Sequence, residues 1–82
     1  MPTVVRVRGF RVFVNVVEDG DGPHVHVSKG GREYRVALAA NEACVISRGG
    51  REKTTNAEAR EVEQIVEFHL FACWREWKKW HR

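Results

Sequence analysis

"GPHVHVSKGGREYRVAL", residues 22–38, is the stretch that decides the fold. Apolar and polar side chains alternate on either side of Lys29-Gly30-Gly31, with Val25 and Val27 in the first run and Tyr34, Val36 and Leu38 in the second. Period-two alternation marks a strand with one buried face, and a Gly pair between two such runs is a hairpin signal. Pro23 suits the first residue of a strand, where its missing N–H costs no ladder bond. Toward the N-terminus "FRVFVNVV" (10–17) alternates in the same way, with Phe10, Val12, Val14 and Val16 on one side and Arg11, Phe13 and Asn15 on the other. "TVVRVRG" (3–9) is a further Val-rich run, and Arg8-Gly9 suits a tight turn because Gly accepts positive φ. The acidic, Gly-rich "EDGDG" (18–22) reads as the turn before the third strand. Beyond Leu38 the chain is harder to read: "ACVIS" (43–47) is a candidate fifth strand and "RGGREK" (48–53) a loop.

The rest reads as helix. Thr55 followed by Glu58 fits a capping box, in which Thr55 accepts from the Glu58 backbone N–H and the Glu58 side chain reaches back. Acidic residues crowd the first turns and basic residues the last, which complements the helix dipole. No Pro or Gly interrupts Asn56 to Arg82. Val62, Ile65, Val66, His69, Cys73 and Trp77 recur at helical spacing as the stripe that packs on the sheet. The expected architecture is α+β: an antiparallel meander of four or five strands over about 3–47, with one long C-terminal helix over about 56–80 packed on one face. The 82 residues form a single domain.

Composition excludes several classes. Hydrophobic residues make up 43% of the chain, enough for one modest core, and charged residues 30%, which is neither a membrane nor a disordered composition. No apolar run is long enough to span a bilayer, so the expectation is a cytoplasmic protein without a membrane partner. The only cysteines, Cys44 and Cys73, lie in different elements without CxxC spacing and read as reduced thiols. The net charge of +3 does not by itself demand nucleic acid. Its distribution is uneven, with Arg6, Arg8 and Arg11 ahead of the first acid, Glu18, and Arg75, Lys78, Lys79 and Arg82 in the tail.

If Val25 and Val27 face the helix, His24 and His26 face away from it, together with Arg11, Phe13, Asn15, Glu33 and Arg35. Arg6 and Arg8 join them if Val5 and Val7 point inward. Four readings of that face stand side by side. His-x-His on a strand is a spacing that holds a divalent metal, but two ligands are too few, with Asp21 and Glu33 the only further candidates; no metal or other cofactor is expected. Histidines beside arginines suit general acid–base cleavage of RNA, with Arg stabilising the transition state. The face could bind phosphate backbone or an acidic protein without chemistry. It could also be an ordinary polar strand face. On the helix, His69 reads as a core histidine and Cys73 as core packing. Trp74, Trp77 and Trp80 at three-residue spacing form a run that could stack on bases, although such a run is more often a packing or oligomer surface, here a homodimer seam.

The opening "MPTVVRVRGFRVFV", the "GPHVHV" signature and the capped helix ending in Trp resemble a small prokaryotic family catalogued as domain of unknown function 4160. The resemblance runs over nearly the whole chain. Pro23, His24, His26 and Val27 carry most of it, then Pro2, Thr3 and Val4, with Trp77 and His69 matching on the helix. Gly22 stands where a second proline is common, "YRVALAANEACVISRGG" matches weakly, and the tail "WKKWHR" is more basic than usual. The resemblance implies a toxin–antitoxin-like arrangement with a cognate antitoxin-like partner, this chain being the toxin-like member and its target RNA or the translation machinery. His24 and His26 are then the acid–base or phosphate-contacting pair, and Arg6, Arg11 and Arg35 the phosphate clamps. Whether there is enzymatic turnover stays open at this point. The alternative is a non-enzymatic protein-binding module that uses the His/Arg face or the Trp-rich helix.

Overall fold

The computed structural model describes residues 2–16 and 22–81. Five strands form one antiparallel sheet in sequence order: β1 (Thr3–Val7), β2 (Phe10–Phe13), β3 (His24–Lys29), β4 (Arg32–Leu38) and β5 (Ala43–Gly50). Two helices follow, α1 (Asn56–Phe68) and α2 (Leu70–Trp80). The Arg8-Gly9 turn forms as its composition demands, with φ of 53° and 82°, the left-handed pair whose twist matches that of the flanking strands. The β3–β4 hairpin closes at Gly30-Gly31, so that Lys29 faces Arg32. The turn expected over residues 18–22 falls, up to Asp21, outside the described residues.

The core is the surface the alternation assigns to it. Phe10, Val12, Val14, Val25, Val27, Tyr34 and Val36 from the sheet are at most 1% exposed, and Val62, Val66 and Cys73 from the helices are fully buried. Val16 departs from the expectation. It is 41% exposed: the strand ends at Phe13, and Val14 is the last residue that the alternation keeps buried. Both cysteines are free thiols, Cys44 exposed and Cys73 buried, and burial pushes the Cys73 thiol up to about 12.

Two expectations need correction. The segment Arg48-Gly49-Gly50 is not a loop but the last part of β5, where Gly50 pairs with Arg32. Residues 43–50 therefore form one edge strand beside β4, three residues longer than the candidate strand over 43–47. Its edge is partly closed by α1, since Glu63 accepts from the Val45 N–H at 2.9 Å and Glu67 from the Ala43 N–H at 3.2 Å. These carboxylates, one helical turn apart, stand where a sixth strand's carbonyls would be.

The expected single helix is two. His69 leaves the helical region (φ −108°, ψ 26°), and its N–H is shared between Ile65 O at 3.2 Å and Val66 O at 3.1 Å. The ladder resumes with Cys73 N donating to His69 O at 3.0 Å, so the break is a kink. α1 packs on β4 and β5, while α2 packs on β1, β3 and β4. A straight rod cannot follow a twisted sheet over that span, and the bend occurs without the Pro or Gly that would announce it. The capping box is also half-formed: Thr55 Oγ1 accepts from Glu58 N at 3.1 Å, but the Glu58 carboxylate turns to β4. There it accepts from Arg32 Nε at 2.6 Å, Arg32 Nη2 at 3.0 Å and the Tyr34 hydroxyl. Arg32 also bridges to Glu52 at 2.6 Å.

Candidate functional site

The sheet face turned away from the helices is organised by register. Thr3, Phe13, His26, Arg35 and Ser47 lie directly across from one another on the five strands. The next row is Arg6, Arg11, Ser28, Glu33 and Gly49. Ser47 owes its place to an irregularity in β5. Val45 faces Val36 and Ser47 faces Arg35, which leaves Ile46 as an extra residue between them, so Val45 turns to the core and Ser47 to the open face.

Along this face the rings make a continuous tier. The Arg11 guanidinium lies 4.5 Å from the centroid of Phe13 and donates from Nε to Thr3 Oγ1 at 2.9 Å. Phe13 stacks on His26, with centroids 5.4 Å apart and planes 17° from parallel. His26 in turn meets His24 edge-on at 5.1 Å and 68°. His24 Nδ1 lies 2.8 Å from Gly22 O; a carbonyl only accepts, so Nδ1 carries the proton there and Nε2 is the basic nitrogen of the neutral ring.

The two histidines are not equivalent. His24 is only 5% exposed, whereas His26 is half-buried and lines a shallow depression of about 170 Å³. Glu33, Arg35, Ser47, Arg48 and the Gly49 backbone share that depression. Both imidazoles lie on the expected side of the sheet, but only His26 lines the open depression, while His24 is covered. Alternation correctly sets the side of the sheet, but it says nothing about how deeply a residue near a strand end is covered.

The predicted cations also divide. Arg35 sits beside His26, Arg11 joins through Phe13, and Arg6 lies on the same face at the β1 edge, across from Arg11 and away from the depression. Arg8 turns toward the helix and pairs with Glu61 at 3.3 Å. Of the metal-ligand candidates, Asp21 lies outside the described residues, and Glu33 lines the depression without being gathered into a ligand set. Among the described residues no group of three or more His, Cys, Asp or Glu side chains could hold a metal ion.

The tryptophans do not form the common seam their spacing offers. Trp74 and Trp77 pack against the core and against each other edge-on at 6.2 Å, and Trp74 Nε1 donates to Ala39 O at 2.8 Å. Only Trp80 is substantially exposed, at 46%. His69, expected in the core, is half-buried at the kink with its ring edge-on to Phe68. His81 stacks on Trp77 and donates from Nε2 to Asn15 O at 2.7 Å, so the end of α2 is fastened beside β2. No described helix is long and apolar enough to cross a membrane.

Fold and site together define a small α+β domain, a five-stranded meander with one face under a kinked helix and the other bearing an aromatic–cation tier. The family described as "Domain of unknown function (DUF4160)" matches residues 9–78, and the chain belongs to it. The matched span contains the Pro-His-x-His-Val signature and leaves out the Pro2-Thr3-Val4 opening. No curated protein and no solved structure matches the chain.

Proposed function

We propose that this is a toxin-like small protein of the toxin–antitoxin type whose uncovered sheet face acts on single-stranded RNA. The observation that carries the reading is the cross-strand tier, in which Phe13 and His26 stack while Arg11 and Arg35 flank them. Unstacked bases stack on aromatic faces of this kind, and guanidinium groups take phosphate oxygens in paired, charge-assisted hydrogen bonds. An open sheet presenting both is the arrangement by which several unrelated RNA-binding sheets work.

In cleavage, a ribose 2′-hydroxyl attacks the adjacent phosphorus and the 5′-oxygen leaves, so one proton is removed as another is supplied. His26 and Glu33, which line one depression, are the two proton-transfer groups, while Arg35 and Ser47 hold the phosphate oxygens. His24 is a positioning residue, held by Gly22 and pressed against the His26 ring. Arg6, at the edge, extends the phosphate track.

The test is incubation of the purified protein with total cellular RNA, with and without EDTA, beside His26→Ala and Arg35→Ala. Cleavage that persists in EDTA and is lost in both variants is the expected result. Binding without cleavage removes the acid–base roles and keeps the RNA face. Neither binding nor cleavage overturns the reading. A non-enzymatic protein-binding module is the second reading, favoured by the exposure of Phe68 and Phe71. Salt separates the two, because phosphate clamps weaken steeply with added salt and an aromatic seam responds little.

A further inference from the structure

An open groove of about 690 Å³ runs along α2, lined by Leu70, Phe71, Trp74, Arg75 and Lys78 together with Ala40 from the β4–β5 connection. Phe71, Trp74, Arg75 and Lys78 recur at i, i+3, i+4 and i+7, so they share one face of an unbroken helix. Leu70 and Trp74 pack against the core and form the floor, and Phe71, 78% exposed, stands beside them. Trp74 Nε1 donates to Ala39 O at 2.8 Å, which fixes the indole and leaves the floor preformed. Each cation is set over a ring one turn back: the Arg75 guanidinium lies 5.7 Å from the Phe71 centroid and the Lys78 ammonium 5.5 Å from that of Trp74. Among the described residues no carboxylate lines the groove, and neither Arg75 nor Lys78 takes part in an ion pair. Glu76, the one acid of α2, lies against Lys79 at 4.0 Å. The α1 acids are engaged elsewhere, Glu58 by Arg32, Glu61 by Arg8, and Glu63 and Glu67 by the β5 backbone. The groove is therefore apolar at its floor and positive at its rim, with no counter-charge of its own.

We infer that this groove seats an acidic amphipathic helix of a partner protein. A helix laid in an apolar groove inserts residues spaced three or four apart, and α2 offers a matching length of about 16 Å, roughly three turns. Apolar anchors of the partner cover Leu70 and Trp74 beside Phe71. Carboxylates flanking those anchors meet Arg75 and Lys78, which the rings beneath them hold at the rim, whereas a basic segment would meet like charge at both. A nucleic-acid strand would use the two cations and leave the apolar floor uncovered. A flat lipid surface would not enter a concave groove. The His26 face lies on the other side of the sheet, so occupation of the groove is independent of what that face binds.

The test is selection on the full chain from a random displayed library of peptides about 16 residues long, enough for some four helical turns. Counter-selection on Phe71→Ser, a change at an exposed ring that leaves the core intact, discards peptides that bind elsewhere. The expected binders carry net negative charge and apolar residues three or four apart. Arg75→Glu/Lys78→Glu weakens them at least about 10-fold with an unchanged far-UV spectrum, while Lys79→Glu, a charge reversal outside the groove lining, changes their affinity little. Groove-dependent peptides without an acidic bias overturn the proposal, as does the absence of any such peptide or affinity retained in the double charge reversal. Phosphatidylglycerol vesicles that bind the wild type but not Phe71→Ser assign the groove to a membrane surface, and a single-stranded RNA that displaces the peptides assigns it to nucleic acid; either result overturns it.

Discussion

Phe13 and His26 stack across the β2–β3 pair, their ring planes 17° from parallel, and His24 closes on the same imidazole edge-on from two residues away. The His26 ring is therefore held between aromatic neighbours on a rigid sheet. A side chain fixed in this way gives up little freedom when a ligand arrives, which is the value of building a site on strands.

Phe13→Ala removes the stacking platform without opening the core, because Phe13 points to the uncovered face and is only half-buried. Loss of one base–aromatic stack costs about 1–3 kcal/mol, so affinity for a short single-stranded RNA falls about 5- to 150-fold. Fluorescence anisotropy measures it, and an unchanged affinity would remove Phe13 from the binding surface.

Arg35→Ala tests the electrostatic half of the site. A guanidinium that neutralises one phosphate contributes a slope of about −0.7 to the dependence of log K on log salt for a single strand. The variant binds more weakly at low salt, and its slope is shallower by about that amount. Arg6→Ala, at the β1 edge, produces a smaller loss.

Stability against pH follows from Glu58. The Arg32 guanidinium, helped by the Tyr34 hydroxyl and the Lys29 charge and opposed by burial, holds the Glu58 carboxyl below its ordinary value of 4.5. A depressed folded value means that the unfolded chain binds the proton more readily, so stability is fully present above 4.5 and is lost as pH falls through the lower folded value. Tyr34 has the opposite sign: burial first, then the Glu58 carboxylate, pushes it from 10.0 up to about 12, so its contribution is lost as pH rises across that interval. Glu58→Gln costs about 1–3 kcal/mol at neutral pH and flattens the acid side of the stability profile. Tyr34→Phe flattens the alkaline side. Urea unfolding at a series of pH values reads both.

Gly50 has φ of 108°, and a Cβ there would overlap the Gly31 carbonyl oxygen. Gly31 O also accepts from Glu52 N at 3.0 Å, so that carbonyl cannot readily retreat. Gly50→Ala therefore loosens the β4–β5 corner and lowers stability by at least about 2 kcal/mol, visible as a lower thermal midpoint. Gly49→Ala meets open space and costs far less.

The strand pattern, the hairpins at Arg8-Gly9 and Gly30-Gly31 and the side of the sheet that bears His24 and His26 could all be read from residue order, because each depends on neighbours in the chain. What could not be read depends on partners far away. Glu63 and Glu67 look like solvated helix positions until β5 offers them backbone N–H groups. Glu58 looks like a cap residue until Arg32 and Tyr34 outcompete the helix end for its carboxylate. The kink at His69 falls where packing passes from β4 and β5 under α1 to β1, β3 and β4 under α2, and no breaker in the helix announces it. Ser47 enters the site only because Ile46 is an extra residue in β5.

The most direct measurement is backbone and side-chain NMR of the isotopically labelled protein titrated with a short single-stranded RNA. If the open sheet face is the binding surface, shifts concentrate at Phe13, His26, Arg35 and Ser47, with Arg11 and Arg6 following, while Phe68, Phe71 and the outer face of the helices stay still. Shifts confined to the helices, or none at the sheet face, would contradict it.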